Sequence, residues 1–372
     1  MDGVPDGRPA QPVQEGQGAR SSRFAAAARV VERAIETRAF PAAVVEVGDA
    51  TQPSWRQAFG RLRYEADAPR TAADTVFDLA SLTKVLATVP IVMQQVERGA
   101  IGLDDPVRDY IPAWKGAERA VVTVRDLLAH CSGLAAYAPL YEFCRSRAEF
   151  EEAIGGGPLA YPPRAKSVYS DLGFILLGFL IEGERSLADR FDAVRAQMGI
   201  VEELQFHPPR LWRPRTAPTE FDRWRGRLLV GEVHDENAWA LGGAAGHAGL
   251  FGTAAAVGQH ARHLLQVLDG RAGAFTRSTV ETFVAPNGNV PGTSRALGWD
   301  TMLPTSSCGR RMSTGAFGHT GFTGTSLWID PGRGAYVVLL TNRVHPSREN
   351  DAIRQVRPAL HDAVMEAWPD RG

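Results

Sequence analysis

Ser81-Leu82-Thr83-Lys84 lies in the run Phe77-Asp78-Leu79-Ala80-Ser81-Leu82-Thr83-Lys84-Val85-Leu86-Ala87-Thr88, where an apolar, strand-like approach gives way at the serine to an apolar helical pattern. Positions three apart on a helix share a face, so the Ser81 hydroxyl and the Lys84 amine come within hydrogen-bonding reach. A helix N-terminus adds free N–H groups and a positive dipole end, both suited to a developing oxyanion. A serine needs a base to become a nucleophile, and a desolvated lysine can serve as one. Taken alone, the same residues read as an N-cap and a solvated first-turn lysine. Lysine usage separates the two readings. Only Lys84, Lys115 and Lys166 stand among 41 Lys+Arg residues. At this serine content, chance places a serine three positions before a lysine on the order of 0.1 times. Arginine holds its proton whereas a buried lysine can lose it, so a lysine kept here fits a role that requires deprotonation.

At 372 residues the chain can bury a large core. A net charge of −1 gives no electrostatic case for nucleic acid or an anionic membrane. The nine histidines and three cysteines (Cys131, Cys144, Cys308) form no C-x-x-C and no H-E-x-x-H, so no metal set is expected. An odd, sparse cysteine set points to reduced thiols. Residues 1–22 are polar, lack an apolar signal-peptide core and read as a disordered tail. The longest apolar run, Gly173 to Ile181, is too short to span a bilayer. These features predict a soluble, cytoplasmic protein whose oligomeric state the sequence leaves open.

Residues 24–37 read as an amphipathic helix, followed by a hairpin of Ala42–Gly48 and Ser54–Tyr64. The serine helix should run to about Gly99, with Pro90 kinking or splitting it. Thr123 caps a helix that ends near Gly133, and His130, Cys131 and Ser132 read as structural because no G-x-S-x-G elbow surrounds them. Helices are expected at 173–182, 187–198 and 253–268, with an irregular excursion over 205–227 and a glycine-rich loop over 241–251. His234 to Asn237 and His247 read as loop hydrogen-bonding residues. Strands follow at 296–302, 317–320, 325–330 and 335–341, and a helix over 348–368 closes the chain. The pattern predicts an α+β fold (an α/β sandwich): an antiparallel sheet built from N- and C-terminal segments and flanked by helices, with a mostly helical middle subdomain. The α/β part would span about 23–100 and 290–372, and the helical part about 101–289, within one domain over 23–372.

Ser81-x-x-Lys84, then Tyr169-Ser170-Asp171 opening a helix, then His319-Thr320-Gly321 on a strand follow one another along the chain. In that order they resemble the motifs of the penicillin-recognising serine hydrolases, in the branch of class C β-lactamases, D-alanyl-D-alanine carboxypeptidases and β-lactamase-fold esterases. The likeness covers roughly residues 24–367 and includes Leu-Asp-Asp-Pro-Val at 103–107 and Leu-Leu-Ala-His-Cys-Ser-Gly-Leu at 127–134. The resemblance implies that Ser81 is the acylated nucleophile, that Lys84 holds or accepts its proton, and that Tyr169 shares the proton transfer. A Tyr169 phenolate would need a strongly lowered pKa, which an adjacent ammonium can supply. The resemblance further makes His319, Thr320 and Gly321 the edge strand along which substrate lies. The N–H groups of Ser81 and Phe322 would form the oxyanion hole.

Two positions depart from the β-lactamase pattern. His319 stands where most β-lactamases carry lysine, and a neutral imidazole draws a carboxylate less strongly. Asp171 stands where they carry asparagine, and an ionised carboxylate cannot donate to a substrate carbonyl. The expected activity is therefore a serine hydrolase working through an acyl-enzyme on a small ester or amide, with Asp171, His319, Thr320, Gly321 and Phe322 contacting substrate. No metal or organic cofactor is called for. β-Lactamase or D-alanyl-D-alanine carboxypeptidase activity is the alternative, and a penicillin-type sensor or scaffold the non-enzymatic one.

Overall fold

The computed structural model describes residues 22–369, so the tail expected over 1–22 lies, except for Ser22, outside the described residues. Strand β1 (Ala42–Gly48) is buried along its whole length, and its side chains alternate between two apolar cores. Ala43, Val45 and Val47 face α1 (Ala25–Glu36) and the C-terminal helix, while Ala42 and Val44 face the rest of the molecule. β1 pairs with β2 (Pro53–Gly60) on one side. The hairpin's second strand stops at Gly60, short of the expected Tyr64. Gly60 takes φ +74, and a Cβ there would lie 2.1 Å from Pro41 O.

Beyond the hairpin come the short β3 (Phe77–Asp78), a π-helical turn at Lys84–Thr88 and α2 (Val89–Glu97). The break expected at Pro90 takes this form: Val89 N–H bonds back to Lys84 O, and the α-helix restarts with proline at its beginning, where no donor is missed. The middle of the chain supplies α3 (Val124–Leu128), α4 (Arg147–Gly156), α5 (Asp171–Glu182), α6 (Leu187–Gln197) and α7 (Glu236–Ala240), with the short strands β4 (Leu204–Phe206), β5 (Phe221–Asp222), β6 (Arg227–Leu228) and β7 (Leu250–Gly252). Then follow α8 (Ala254–Leu268), α9 (Arg277–Val284), β8 (Asp300–Thr301), β9 (Phe317–Thr320), β10 (Ser326–Asp330), β11 (Ala335–Thr341) and α10 (Ile353–Ala367).

The main sheet is antiparallel in the order β2-β1-β11-β10-β9-β8, so N- and C-terminal segments pair at its centre. α1 and α10 cover one face, and α8 packs on the other. α8 comes close enough for the buried Glu46 carboxylate of β1 to reach Arg262 and the Tyr336 hydroxyl. Gly258 permits that approach, since a Cβ there would lie 1.8 Å from Glu46 Oε1. The strand expected over 296–302 is paired only at Asp300–Thr301. The last helix begins at Ile353 rather than Arg348, because Arg348 is drawn into ion pairs with Glu220 and Glu236. α4, α7 and α9 were not foreseen from periodicity.

His260 on α8 and His361 on α10 are buried, and among the described residues neither ring nitrogen of either has a hydrogen-bond partner. Burial holds each down to a pKa of about 3, against 6.5 for a free imidazole, helped by His263 and Arg357 respectively. The unfolded chain therefore takes up protons between about pH 6.5 and about 3 that the folded chain refuses. Their contribution to stability is complete above that window and is lost as pH falls through it. Replacing both by leucine should flatten the acid side of a urea-midpoint-against-pH curve; an equally steep fall in the double variant would count against this origin.

Candidate active site

β3 ends at Asp78, whose buried carboxylate accepts the Ala80 N–H at 2.8 Å and the His234 N–H at 2.7 Å. Ala80 takes φ +47, a left-handed value uncommon for a residue with a Cβ, and the turn it makes presents Ser81 to a cleft. Lys84 follows one turn on, fully enclosed. Its ammonium donates to Ser81 Oγ at 3.0 Å, Asp171 Oδ1 at 2.7 Å and the His247 carbonyl at 3.2 Å, which uses all three hydrogens. Burial works to lower the Lys84 pKa, but the adjacent Asp171 and Tyr169 outweigh it and hold the group above its ordinary 10.5. In the resting site Lys84 is thus an ammonium. The counter-ion that keeps it so lies 87 positions further along the chain, out of reach of any reading of the Ser81-x-x-Lys84 motif by itself.

Asp171 begins α5, with Ser170 as its cap, and Tyr169 immediately precedes them. The Tyr169 ring lies 4.8 Å from Lys84 Nζ and 5.2 Å from the Arg295 guanidinium carbon. It also packs against the rings of His130 (4.7 Å) and His319 (5.6 Å). Its hydroxyl is buried, close to Lys84 and Ser81 but without a hydrogen bond of good geometry to either. Burial pushes its pKa above 10; Lys84 pulls it down, and the Asp171 carboxylate pushes it up again. The net direction is upward, so the resting group is a neutral phenol: the lowering that the adjacent ammonium supplies is outweighed by burial and Asp171.

The third motif lies at the end of β9. β10 pairs along one side, whereas β8 covers only Phe317 and Gly318 on the other, so just the last part of β9 is an open edge. His319 is buried, with Nδ1 2.9 Å from Thr320 O and Nε2 unpartnered. Burial, with Lys84 and Arg295, keeps its imidazole neutral. Thr323 donates to Asp78 O at 2.7 Å and Thr325 to Leu79 O at 3.0 Å, which binds the turn after β9 to the chain just before Ser81. Gly321 permits this contact, because a Cβ there would lie 2.6 Å from Leu79 O. Ser81 and Phe322 both line the cleft, and among the described residues neither backbone N–H donates to a protein acceptor. The half-exposed Phe322 ring lies between His234 (5.7 Å) and Arg343 (4.3 Å), and Arg343 Nε donates to Phe322 O at 2.7 Å.

The cleft holds about 900 Å³ and is lined by Ser81, Tyr169, Asp171, His319, Thr320, Gly321 and Phe322. Lys84 sits behind Ser81, out of contact with solvent. Residues to which the sequence gives no role in the site, or only a structural one, share it. His130 packs on Tyr169, and Arg295, Arg343, Arg354 and Arg357 line the walls. Nothing in the sequence marks these four among so many arginines. His247 bonds through its ring to Asp235 at 2.8 Å and through its carbonyl to Lys84. Among the described residues no cluster of His, Cys, Asp and Glu is arranged to hold a metal ion.

A family model described as Beta-lactamase matches residues 27–361. The chain is 32% identical over 326 residues to a Salmonella gallinarum protein provisionally named a D-alanyl-D-alanine carboxypeptidase, which covers 76% of this chain and 73% of the relative. It is 30% identical over 360 residues to N-acetylmuramyl-L-alanine amidase of Bacillus subtilis, covering 85% of this chain and 80% of that one. Solved structures of similar fold include EstCE1, described as a hydrolase with promiscuous acyltransferase activity (TM-score 0.73, 20% identity, 93% of this chain and 99% of the other). Another is a class C beta lactamase from Rhodobacter sphaeroides (TM-score 0.73, 22% identity, 92% and 99%).

Breaking an enclosed ion pair from one side leaves a buried charge without compensation. Asp171→Ala should therefore destabilise the protein by roughly 3 kcal/mol in urea unfolding, while the double change Lys84→Met with Asp171→Leu should recover most of that loss. A double variant no more stable than Asp171→Ala would contradict the pairing.

Proposed function

Since the chain belongs to the beta-lactamase family of serine hydrolases, we propose that Ser81 attacks the carbonyl of a small ester or amide and is transiently acylated. The observation that carries this reading is the placing of Ser81 Oγ 3.0 Å from Lys84 Nζ in an open cleft that Phe322 also lines, with the Ser81 and Phe322 N–H groups uncommitted among the described residues. Those N–H groups, of Ser81 and Phe322, receive the oxyanion as the carbonyl becomes tetrahedral. The resting charges define the proton path. Lys84 passes a proton to Asp171 as it takes one from Ser81 Oγ, so it ends as an ammonium and Asp171 as a carboxylic acid. The Tyr169 phenol, with no acceptor among the described residues, gives its proton to the leaving group and is reprotonated by Lys84, which recovers a proton from Asp171 and restores the resting charges. Water attacks the acyl-enzyme by the same path in reverse and releases the acid.

A second reading has a specific observation in its favour. Arg295, Arg354 and Arg357 line the cleft with no carboxylate within ion-pair distance among the described residues, and Arg357 is almost fully buried. The Asp171 charge, expected from sequence to repel an anionic substrate, is spent on Lys84. A substrate with a free carboxylate beside its scissile amide suits such a wall. This supports the carboxypeptidase or β-lactamase alternative to a simple ester.

Purified protein should hydrolyse an activated p-nitrophenyl ester, and Ser81→Ala should abolish the activity; equal rates in the two proteins would sink the assignment. Intact-mass measurement with the ester and with a penicillin separates the substrate classes. Rapid ester turnover without a penicillin adduct favours the esterase reading. A stable penicillin adduct mapped to Ser81 favours a peptidase or a sensor.

A further inference from the structure

We infer that His130 is a positioning residue for Tyr169, gripping the chain on both sides of the tyrosine and fixing the ring beside Lys84. The inference rests on the reading of Tyr169 as a proton carrier. His130 O accepts the Val168 N–H at 2.9 Å, and His130 Nδ1 accepts the Ser170 N–H at 3.0 Å. The two neighbours of Tyr169 are thus bonded to one residue. That residue's imidazole also packs on the tyrosine ring at 4.7 Å and on Phe174 at 5.1 Å. His130 holds φ +56, a left-handed conformation unfavourable for a residue with a Cβ, which persists where the surroundings determine it.

The grip depends on protonation. An accepting Nδ1 places the proton of a neutral imidazole on Nε2. A doubly protonated ring would turn an N–H against the Ser170 N–H. Burial, then the positive charge of Arg295 and Lys84 and the nearby His319, keeps the imidazole neutral. Among the described residues His130 Nε2 and the Tyr169 hydroxyl are both buried without a hydrogen-bond partner of good geometry, so the polar hold on the imidazole comes through Nδ1. The neighbouring Cys131 and Ser132 bond within their own turn, to Asp126 and from Leu134, and do not reach Tyr169.

The loop carrying Tyr169 has other anchors. Ser167 donates to Ala129 O at 3.2 Å, Ser170 Oγ to Ala135 O at 2.6 Å and the Asp171 N–H to Ala136 O at 2.9 Å. Loss of the imidazole should leave this loop folded and release only the orientation of Tyr169. His130→Gly keeps the left-handed backbone and deletes the ring. His130→Asn also tolerates that backbone and offers Oδ1 as an acceptor for the Ser170 N–H.

With an activated ester, His130→Gly should lose about 100-fold in kcat with KM changed by no more than about twofold, as expected for a misplaced catalytic group. His130→Asn should regain at least about tenfold of that loss. Adding His130→Gly to Tyr169→Phe should cost nothing further, because the two act through one group. A folded His130→Gly with wild-type kcat, alongside an impaired Tyr169→Phe, would overturn the inference and leave the role of Tyr169 standing. A Tyr169→Phe variant with wild-type kcat would overturn both. If His130→Gly does not fold, His130→Asn decides: a near-wild-type kcat supports the grip, and a kcat as low as that of Tyr169→Phe refutes it.

Discussion

A buried ammonium is stable only beside a counter-charge, and the 2.7 Å contact between Lys84 and Asp171 is what allows Lys84 to lie fully enclosed one turn beyond Ser81. Most of the site's electrostatics follow from that pair. The ammonium helps hold His130 and His319 neutral, while the carboxylate offsets its pull on Tyr169 and leaves the phenol protonated. In the proposed path the same pair takes up the Ser81 proton, Lys84 accepting from Ser81 Oγ as it passes a proton on to Asp171. Neither residue could fill its place alone: an isolated lysine here would lose charge to burial, and an isolated aspartate would face the cleft as a bare anion.

The fold serves this pair by joining three distant parts of the chain. Lys84 comes from the π-helical turn after β3, Asp171 from the start of α5, and the His247 carbonyl from the loop before β7. The turn after β9 is bound to residues 78 and 79 by Thr323 and Thr325, which ties Phe322 to the stretch that carries Ser81, the two residues whose N–H groups are proposed to receive the oxyanion. Asp78 links that frame to His234, whose ring supports Phe322 from the other side. The cleft is thus bounded by main chain that the central sheet and its helices hold in place, a requirement for stabilising a transient charge without reorganisation.

Much of this architecture is legible in the sequence because it rests on local rules. β1 and β11 are runs of small and branched apolar residues, and α3, α5 and α6 start at Thr123, Ser170 and Ser186, whose side chains cap them. α4 carries the same signal, with Ser146 and Glu149 forming a capping box, and was missed because the Gly/Pro stretch after it dominates the reading. The late start of α10 is not local at all, since it depends on carboxylates of Glu220 and Glu236 that draw Arg348 away. The same distinction divides the site. Residue types at Ser81, Lys84, Tyr169 and His319 can be read from motifs, whereas charge states depend on which groups the fold brings together. That is why the motifs alone do not give the charge states of Lys84 and Tyr169, why His130 reads from sequence only as structural, and why nothing there marks Arg295.

With only Lys84, Lys115 and Lys166 in the chain, an NMR titration of labelled lysine side chains can report on Lys84 directly, assigned by its absence in Lys84→Met. The expected result is a Lys84 signal that remains that of an ammonium through neutral pH and titrates above the ordinary lysine value of 10.5. A signal already that of a neutral amine at pH 7 would contradict the paired-ammonium description on which the proton path is built.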